Sequence, residues 1–226
     1  GRHRHSRPDH RLHLGTQAYL FRRRRPAGQL HRLQLSVQPD ASRPADHRSG
    51  ARDNLQPGDS VTIRELFRTA LIASDNSAVI SLVRASGLSE REFVAAMNAK
   101  ANSLRFKQTT FSDPTGLDNG NRSTPGDISR LAAAALAQPD IREAVLRPAY
   151  SFTTEQGSVK EIRATDKLLD RPLPAGVTLV GGKTGHIDEA GYCFVGLFEK
   201  NGHQVLTVIL GADSDEARFS ETEKLV

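Results

Sequence analysis

The first orderly part of the sequence carries apolar residues at helical spacing. Thr62 followed by Glu65 is a capping-box pattern, and the apolar positions behind it recur at helical intervals to about Ala73. A second helix is predicted over residues 77–85, and a third over residues 89–101, which opens with another capping-box pattern. The chain therefore starts its ordered part as a series of amphipathic helices with short breaks.

A polar loop and two further helices are expected next. Residues 111–121 are rich in Asp, Gly and Asn, which favours a loop. Thr124 and Pro125 are residue types preferred at an N-cap and at the first helical position, so a helix is predicted from there to about Ala137. A short helix is expected over residues 141–146.

The pattern then changes to short runs rich in β-branched and aromatic residues. These runs predict strands at residues 150–154, 159–163, 177–183, 190–199 and 204–211. Asn201-Gly202, between the last two strands, is a hairpin-turn signal, and a closing helix is predicted from residue 213 to residue 226. Helices, then a mostly antiparallel sheet, then a helix make an α+β arrangement.

Residues 1–50 differ from the rest of the chain in composition. They contain eleven Arg, six His and three Asp but no Lys or Glu, and their net charge of +8 exceeds the +5 of the whole chain. A disordered basic tail, a nucleic-acid-binding arm and a non-native stretch read in the wrong frame all fit this composition. We favour a disordered or non-native segment over a nucleic-acid arm because few aromatic residues are interleaved with the charges. Residues 51–226 are then the domain.

Several classes of site and segment find no support in the sequence. Cys193 is the single Cys and cannot form an internal disulfide, so cysteine usage does not indicate the redox compartment. Its place in a predicted strand favours a buried thiol. No apolar run approaches the ~20 residues that a membrane helix needs, and no signal peptide or membrane anchor is visible. No zinc pattern, phosphate loop or dinucleotide fingerprint occurs, so neither a metal nor a cofactor is expected.

Two short polar motifs lie where predicted elements end. Ser74-Asp75-Asn76 fills the break between the first two helices, and Lys183-Thr184 with the following glycine ends a predicted strand. Each motif is weak alone, because Ser, Asp and Asn are ordinary capping residues. Ser74 or Asn76 capping the second helix therefore stays an open interpretation.

Together the motifs match two of the three signatures of penicillin-binding proteins and serine β-lactamases, S-x-x-K, S-D-N and K-T-G. The wider sequence over residues 66–82, 111–131 and 180–193 resembles the low-molecular-mass D-alanyl-D-alanine carboxypeptidases, and the resemblance extends over residues 52–226. It implies a β-lactamase/transpeptidase-like fold, with an antiparallel sheet flanked by helices and a helical subdomain that carries the S-D-N motif.

The resemblance implies catalytic roles for three of these residues. Ser74 is expected to relay protons to and from the leaving group, and Asn76 to hold the backbone amide of the substrate. Lys183 is expected to direct its ammonium group into the cleft, where it lowers the cost of nearby negative charge. The implied reaction is removal of the terminal D-Ala from peptidoglycan stem peptides through an acyl-enzyme, without a cofactor.

The resemblance also implies a substrate-binding strand. Lys183 and Thr184 are expected to bind the terminal carboxylate of D-Ala-D-Ala, and Gly185 to let the substrate approach the backbone closely. The backbone N–H of His186 is expected to be one of two oxyanion donors. β-Lactams are the second implied class of ligand, nucleic acid is not an implied partner, and the implied location is the periplasm or cell envelope.

One signature of the family is missing from this chain. The nucleophile and its lysine should form S-x-x-K on a helix upstream of Ser74, yet no Lys occurs before Lys100. We therefore expect a partial and catalytically impaired domain, with the missing motif encoded in another frame upstream of about residue 51. The alternatives are a catalytically dead fragment and a β-lactamase or D,D-endopeptidase of the same superfamily.

Overall fold

The computed structural model of the protein describes residues 34–36 and 54–226. Strand β1 (Gln34–Ser36) pairs antiparallel with strand β2 (Ser60–Thr62), so three residues of the Arg/His-rich segment have a place in the fold. The prediction that residues 1–50 are disordered or non-native otherwise lies outside the described residues and stays a prediction. Strand β2 was not predicted, because its three residues directly follow a turn sequence.

The predicted helices are present, and a side-chain cap starts each of them except the short helix after Gln138. Thr62 accepts a hydrogen bond from the Glu65 backbone N–H at 3.2 Å, and Glu65 Oε2 accepts one from the Thr62 N–H at 2.6 Å. This reciprocal pair starts the first helix where the capping-box pattern predicts it. Within residues 54–226, the helices before the large sheet are α1 (Ile63–Ala73), α2 (Asn76–Ala85), α3 (Glu90–Ser103), α4 (Pro125–Leu136) and α5 (Pro139–Val145).

The other described strands form a hairpin and a three-stranded sheet, both antiparallel. The hairpin consists of β3 (Ala149–Thr153) and β4 (Val159–Arg163), and a 3-10 turn (Lys167–Asp170) follows it. The sheet has the order β5-β6-β7, and a final helix packs on it. Its strands and that helix are β5 (Val177–Ile187), β6 (Gly191–Lys200), β7 (His203–Ala212) and α6 (Asp215–Glu223). The α+β prediction is confirmed.

Alternate residues of β6 bury against opposite sides of the sheet. Cys193 and Val195 pack with Ile128 of α4, whereas Phe194 packs with Phe219 of α6. The period of two along a strand thus gives three layers, with α4 and α6 on either side of the sheet. The prediction that the Cys193 thiol is buried is confirmed.

The helices before the sheet form their own core beside it. Leu66 and Phe67 of α1 are buried together with Leu82 of α2 and Val145 of α5. The end of α1 is tied to the loop after β4, because the Thr165 backbone N–H donates to the Ile72 carbonyl at 3.1 Å. This contact brings the C-terminus of α1, and with it the S-D-N motif, towards the sheet.

Several predicted boundaries are off by a few residues. The closing helix, predicted over residues 213–226, spans Asp215–Glu223, and the largest error concerns the K-T-G motif. Strand β5 was predicted to end at Lys183 but continues to Ile187, with Lys183 opposite Val195 and Gly185 opposite Cys193. The motif therefore lies inside a paired strand. Glycine and polar residues made this stretch look like a strand end in the sequence, but backbone pairing with β6 overrides that local preference.

Candidate active site

Ser74 lies at the turn between α1 and α2. It is the C-cap of α1 and has the left-handed conformation, with φ 56° and ψ 40°. This conformation is uncommon for a residue with a Cβ atom and costs on the order of 1 kcal/mol. It ends α1 abruptly and lets α2 begin two residues later, which leaves the half-buried serine side chain directed at the sheet.

Asp75 is a structural residue at the centre of the motif. Its fully buried carboxylate accepts hydrogen bonds from the Ala78 backbone N–H at 2.8 Å and from the Asn54 side chain at 3.1 Å, and also from the Asn54 backbone N–H. The interpretation that Ser74 or Asn76 caps the second helix is wrong, because Asp75 is the N-cap of α2. The side chains of Ser74 and Asn76, on either side of Asp75, therefore do not cap α2.

Asn76 begins α2 and has a buried amide group with spare hydrogen-bonding capacity. Its Nδ2 atom has no hydrogen-bond partner within residues 54–226. A buried amide N–H without a partner costs free energy, on the order of 1–3 kcal/mol, which a ligand carbonyl oxygen would recover. The structure thus places a donor, rather than a capping acceptor, next to Ser74.

Lys183 brings the two motifs together. Its Nζ donates a hydrogen bond to Ser74 Oγ, a residue 109 positions earlier, and a second one to the Thr184 carbonyl at 2.9 Å. No capping or strand-pairing requirement calls for the first of these contacts. The serine hydroxyl and the lysine ammonium therefore share one side of the molecule, at the junction of the helices and the sheet.

Two glycines before Lys183 allow strand β5 to pack closely. A Cβ atom at Gly181 would lie 2.6 Å from a Leu136 methyl carbon, and one at Gly182 would lie 2.6 Å from Asp166 Oδ2. Both distances are below van der Waals contact, so larger residues would displace α4 or the loop that carries Asp166. The two glycines thus let β5 pack close to α4 and to the Asp166 loop, and this packing positions Lys183.

The remaining predicted residues follow Lys183 along β5. Thr184 is only 5% exposed, and its hydroxyl oxygen lies 2.5 Å from that of Thr165. The Gly185 carbonyl accepts a hydrogen bond from Arg218 at 3.1 Å. His186 stacks on Tyr192 with ring centroids 4.0 Å apart, and partial burial lowers the pKa of its imidazole.

Arg218 of α6 is a buried cation that the sequence analysis missed. It is 6% exposed, donates to the carbonyls of Gly185 and Cys193 at 3.1 and 3.4 Å, and pairs with Asp215. Burial lowers the pKa of its guanidinium, and Asp215 opposes that shift. Arg218 holds the end of β5 in place. Its spacing of three residues from Asp215 was the one visible signal, and such pairs are common on exposed helices.

Asp166 is a second missed residue beside the lysine. Its carboxyl group is 5% exposed, and Oδ1 accepts a hydrogen bond from the Leu168 backbone N–H at 2.9 Å. Oδ2 has no hydrogen-bond partner among residues 54–226. Burial raises the pKa of Asp166 to about 6, although the Leu168 N–H and the charges of Lys183 and Arg218 oppose the shift. The carboxyl group therefore titrates near neutral pH.

Metal sites and membrane spans are both absent from the described part of the chain. Within residues 54–226, no three His, Cys, Asp or Glu side chains are grouped so that they could hold a metal ion. No helix in the described residues has the length and apolar character that crossing a membrane requires.

The comparison with known protein families agrees with this geometry. The family model described as D-alanyl-D-alanine carboxypeptidase matches residues 25–214. The chain belongs to the D-alanyl-D-alanine carboxypeptidase family. The match starts upstream of residue 52, where the resemblance in the sequence begins, and it includes both motifs.

Individual members of the carboxypeptidase family show the same relationship. The chain is 29% identical over 198 residues to D-alanyl-D-alanine carboxypeptidase DacF of Bacillus subtilis, covering 86% of this chain and 49% of the relative. It is 34% identical over 171 residues to a D-alanyl-D-alanine endopeptidase of Haemophilus influenzae, covering 75% of this chain and 56% of the relative. The chain thus spans about half the length of these curated relatives.

Solved structures share the transpeptidase-like fold. A Streptomyces DD-transpeptidase superposes with a TM-score of 0.78 at 27% identity, over 92% of this chain and 81% of the other. Penicillin-binding protein D2 of Listeria monocytogenes in its cefotaxime-bound form superposes with a TM-score of 0.69 at 32% identity, over 85% and 74% of the two chains. The predicted β-lactamase/transpeptidase-like fold is confirmed.

Proposed function

We propose that this chain carries the substrate-binding cleft of a serine-type D-Ala-D-Ala carboxypeptidase that acts on peptidoglycan stem peptides through an acyl-enzyme. The observation that supports this most is the hydrogen bond from Lys183 Nζ to Ser74 Oγ. Family membership and the carboxypeptidase and endopeptidase names of the relatives support the same reaction class. Because peptidoglycan lies outside the cytoplasm, we place the site of action in the periplasm or cell envelope.

The proton relay in this proposal follows from the direction of that hydrogen bond. Lys183 donates to Ser74 Oγ, so the hydroxyl hydrogen of Ser74 remains available to another acceptor. In the acylation step, a nucleophilic hydroxyl attacks the D-alanyl carbonyl and gives up its proton as the bond to the terminal D-Ala breaks. The leaving amine takes the Ser74 proton, Lys183 passes a proton to the serine oxygen, and the proton of the nucleophile restores the Lys183 ammonium group. The ammonium charge also stabilises the developing alkoxide in a partly buried site.

Substrate binding uses the groups around this pair. Asn76 donates its unpartnered amide N–H to a peptide carbonyl of the substrate. Thr184 and the Lys183 charge bind the terminal carboxylate, and Gly185 admits the substrate to the backbone of β5. The His186 backbone N–H serves as one oxyanion donor, a contribution typically on the order of 3 kcal/mol to the barrier.

Turnover in this proposal is impaired because S-x-x-K is missing from the sequence. Removing the nucleophile from an acyl-transfer enzyme costs orders of magnitude in rate, whereas the binding groups remain. The chain is then expected to bind D-Ala-D-Ala peptides and β-lactams reversibly and to hydrolyse them extremely slowly. A covalent acyl-enzyme is not expected from the sequence as it stands.

A labelled penicillin tests both parts of this proposal. The full chain is incubated with a fluorescent penicillin, and binding is measured by anisotropy while intact-mass spectrometry detects any adduct. Reversible binding without an adduct is expected. K183M should lose that binding, whereas K200M, which removes a lysine at the far end of β6, should keep it.

The other outcomes reject different parts of the proposal. A covalent adduct on the wild-type chain would reject impaired turnover and identify a nucleophile elsewhere in the sequence. Absence of any penicillin or D-Ala-D-Ala binding would reject the proposed cleft altogether. Equal binding by wild type and K183M would reject the assignment of Lys183.

An endopeptidase is the second candidate, because relatives with that name match this chain as well as carboxypeptidases do. Identity is 34% to the Haemophilus influenzae endopeptidase and 33% to carboxypeptidase DacC of Escherichia coli. The two activities share the same motifs and differ in whether the cleaved D-alanyl bond ends a stem peptide or lies in a cross-link. The two activities can be distinguished by measuring affinity for an uncross-linked pentapeptide and for a cross-linked dimer of the stem peptide. The preferred substrate should bind more tightly.

A further inference from the structure

Thr165 contacts both halves of the cleft although it belongs to neither motif. It lies in the loop after β4, where its backbone N–H donates to the Ile72 carbonyl at 3.1 Å, two residues before Ser74. Its side chain points the other way, and Thr165 Oγ1 lies 2.5 Å from Thr184 Oγ1. A single residue thus joins the end of α1 to the K-T-G strand.

The direction of the hydrogen bond between these hydroxyls decides what Thr184 can do. A hydroxyl group has one hydrogen to donate and two lone pairs that accept. If Thr184 donates to Thr165, it presents only lone pairs to the cleft. If Thr165 donates to Thr184, the Thr184 hydrogen is free to point into the cleft.

The charge next to Thr184 favours an anionic ligand. The Lys183 ammonium lies 2.9 Å from the backbone carbonyl oxygen of Thr184, so a positive charge lies next to this residue. A carboxylate accepts hydrogen bonds and donates none, so it requires Thr184 as a donor. Thr165 would donate to Thr184, and Thr184 would donate to the carboxylate. The two hydrogen bonds then form a chain in which each O–H···O bond polarises the next.

We propose that Thr165 is a positioning residue that donates its hydroxyl hydrogen to Thr184 and thereby fixes Thr184 as the donor to a ligand carboxylate. This inference rests on the proposed function, because it assumes a ligand that ends in a free carboxylate. It assigns specificity for that terminus to a residue outside the S-D-N and K-T-G motifs. Thr165 itself makes no contact with the ligand.

The test separates the Thr165 hydroxyl from the Thr165 backbone. T165V removes the hydroxyl but keeps the side-chain shape and the N–H that binds Ile72, whereas T165S keeps the hydroxyl. T207V is a matched control, since Thr207 is also a buried threonine with a hydrogen-bonded hydroxyl but lies on β7. Calorimetry on the full chain measures affinity for a D-Ala-D-Ala-terminated peptide with a free carboxylate and for the same peptide as a C-terminal amide.

T165V is expected to weaken binding of the free-acid peptide by about 3- to 10-fold, the usual worth of one hydrogen bond, and to leave the amide peptide unchanged. T165S and T207V should keep the wild-type ratio of the two affinities. Should T165V prove too unstable to assay, T165A removes the same hydroxyl and is held to the same expectation.

Each remaining outcome rejects the inference, and the pattern shows why. If T165V weakened the binding of both peptides equally, Thr165 would be merely structural. If it weakened the binding of neither, Thr165 would have no role in recognising the carboxylate. A wild-type chain that binds both peptides equally would show that the carboxylate is not recognised. A wild-type chain that binds neither peptide would reject the proposed function together with this inference.

Discussion

The two halves of the cleft are positioned by different kinds of interaction. On the helical side, Ser74 is placed by its neighbours in sequence, because Asp75 caps α2 and a left-handed residue ends α1. On the sheet side, Lys183 is placed by distant residues, because Gly182 packs against Asp166 and Arg218 holds the strand end. The comparison teaches that local capping leaves candidate residues in the sequence, although the sequence analysis chose the wrong cap for α2. Long-range packing leaves no such candidates.

Replacing Asp75 should have the largest effect and tests whether the helical half depends on one buried cap. D75A removes the N-cap of α2 and leaves the Asn54 backbone N–H without its acceptor. We expect a loss of about 3 kcal/mol in the free energy of unfolding, measured by urea denaturation. T124A removes a cap with one side-chain hydrogen bond from α4 and should cost about 1 kcal/mol. Equal costs for the two variants would contradict the special role of Asp75.

The sheet half should show a pH dependence of stability that comes from one buried carboxyl group. Burial raises the pKa of Asp166 to about 6 from an ordinary value of 3.8, so the folded state holds its proton more tightly than the unfolded state. This contribution to stability is complete below pH 3.8 and is lost as the pH rises through about 6. The loss is roughly 3 kcal/mol for a shift of about two units.

D166N is the matched variant for that dependence, because it has the same shape but does not titrate. The free energy of unfolding, measured by urea denaturation from pH 4 to pH 7.5, should fall more for the wild type than for D166N by roughly 2.5 kcal/mol. Parallel pH profiles for the two proteins would show that Asp166 titrates normally and that the sheet half contains no strained buried carboxyl group.

A pair of substitutions at Ser74 should have the smallest effect. It tests whether the left-handed conformation of Ser74 costs free energy. S74A and S74G both remove the hydroxyl that Lys183 contacts, but only glycine adopts φ 56° without steric cost. We expect S74G to be more stable than S74A by about 1 kcal/mol in thermal and urea unfolding. If S74A equals or exceeds S74G in stability, the left-handed conformation carries no cost, and α1 ends there for another reason.

The sequence predicted the parts of the structure that depend on local chemistry. Thr62 and Glu65 start α1, and Asn201-Gly202 makes the hairpin turn with φ values of 52° and 77°. These signals act within a few residues, so a single sequence is enough to recognise them. The same holds for the two motifs, whose residue types and order indicated the family before any geometry was known.

The sequence did not predict the residues that join separate segments. Thr165, Asp166 and Arg218 lie between or after the predicted strands, and each acts on β5 through a contact made only in the folded chain. The end of β5 was placed too early for the same reason, because pairing with β6 extends it to Ile187. Roles assigned to Ser74 and to the K-T-G residues stay predictions.

A double-mutant cycle between the two halves tests the central claim most directly. Affinity for a D-Ala-D-Ala-terminated peptide is measured by calorimetry for wild type, S74A, K183M and the double variant. Ser74 and Lys183 should act on one ligand through their shared hydrogen bond. The double variant should then lose less binding free energy than the sum of the two single losses, by about 1 kcal/mol or more. Strictly additive losses would mean that the hydroxyl and the ammonium group work independently, and that result would contradict a single cleft.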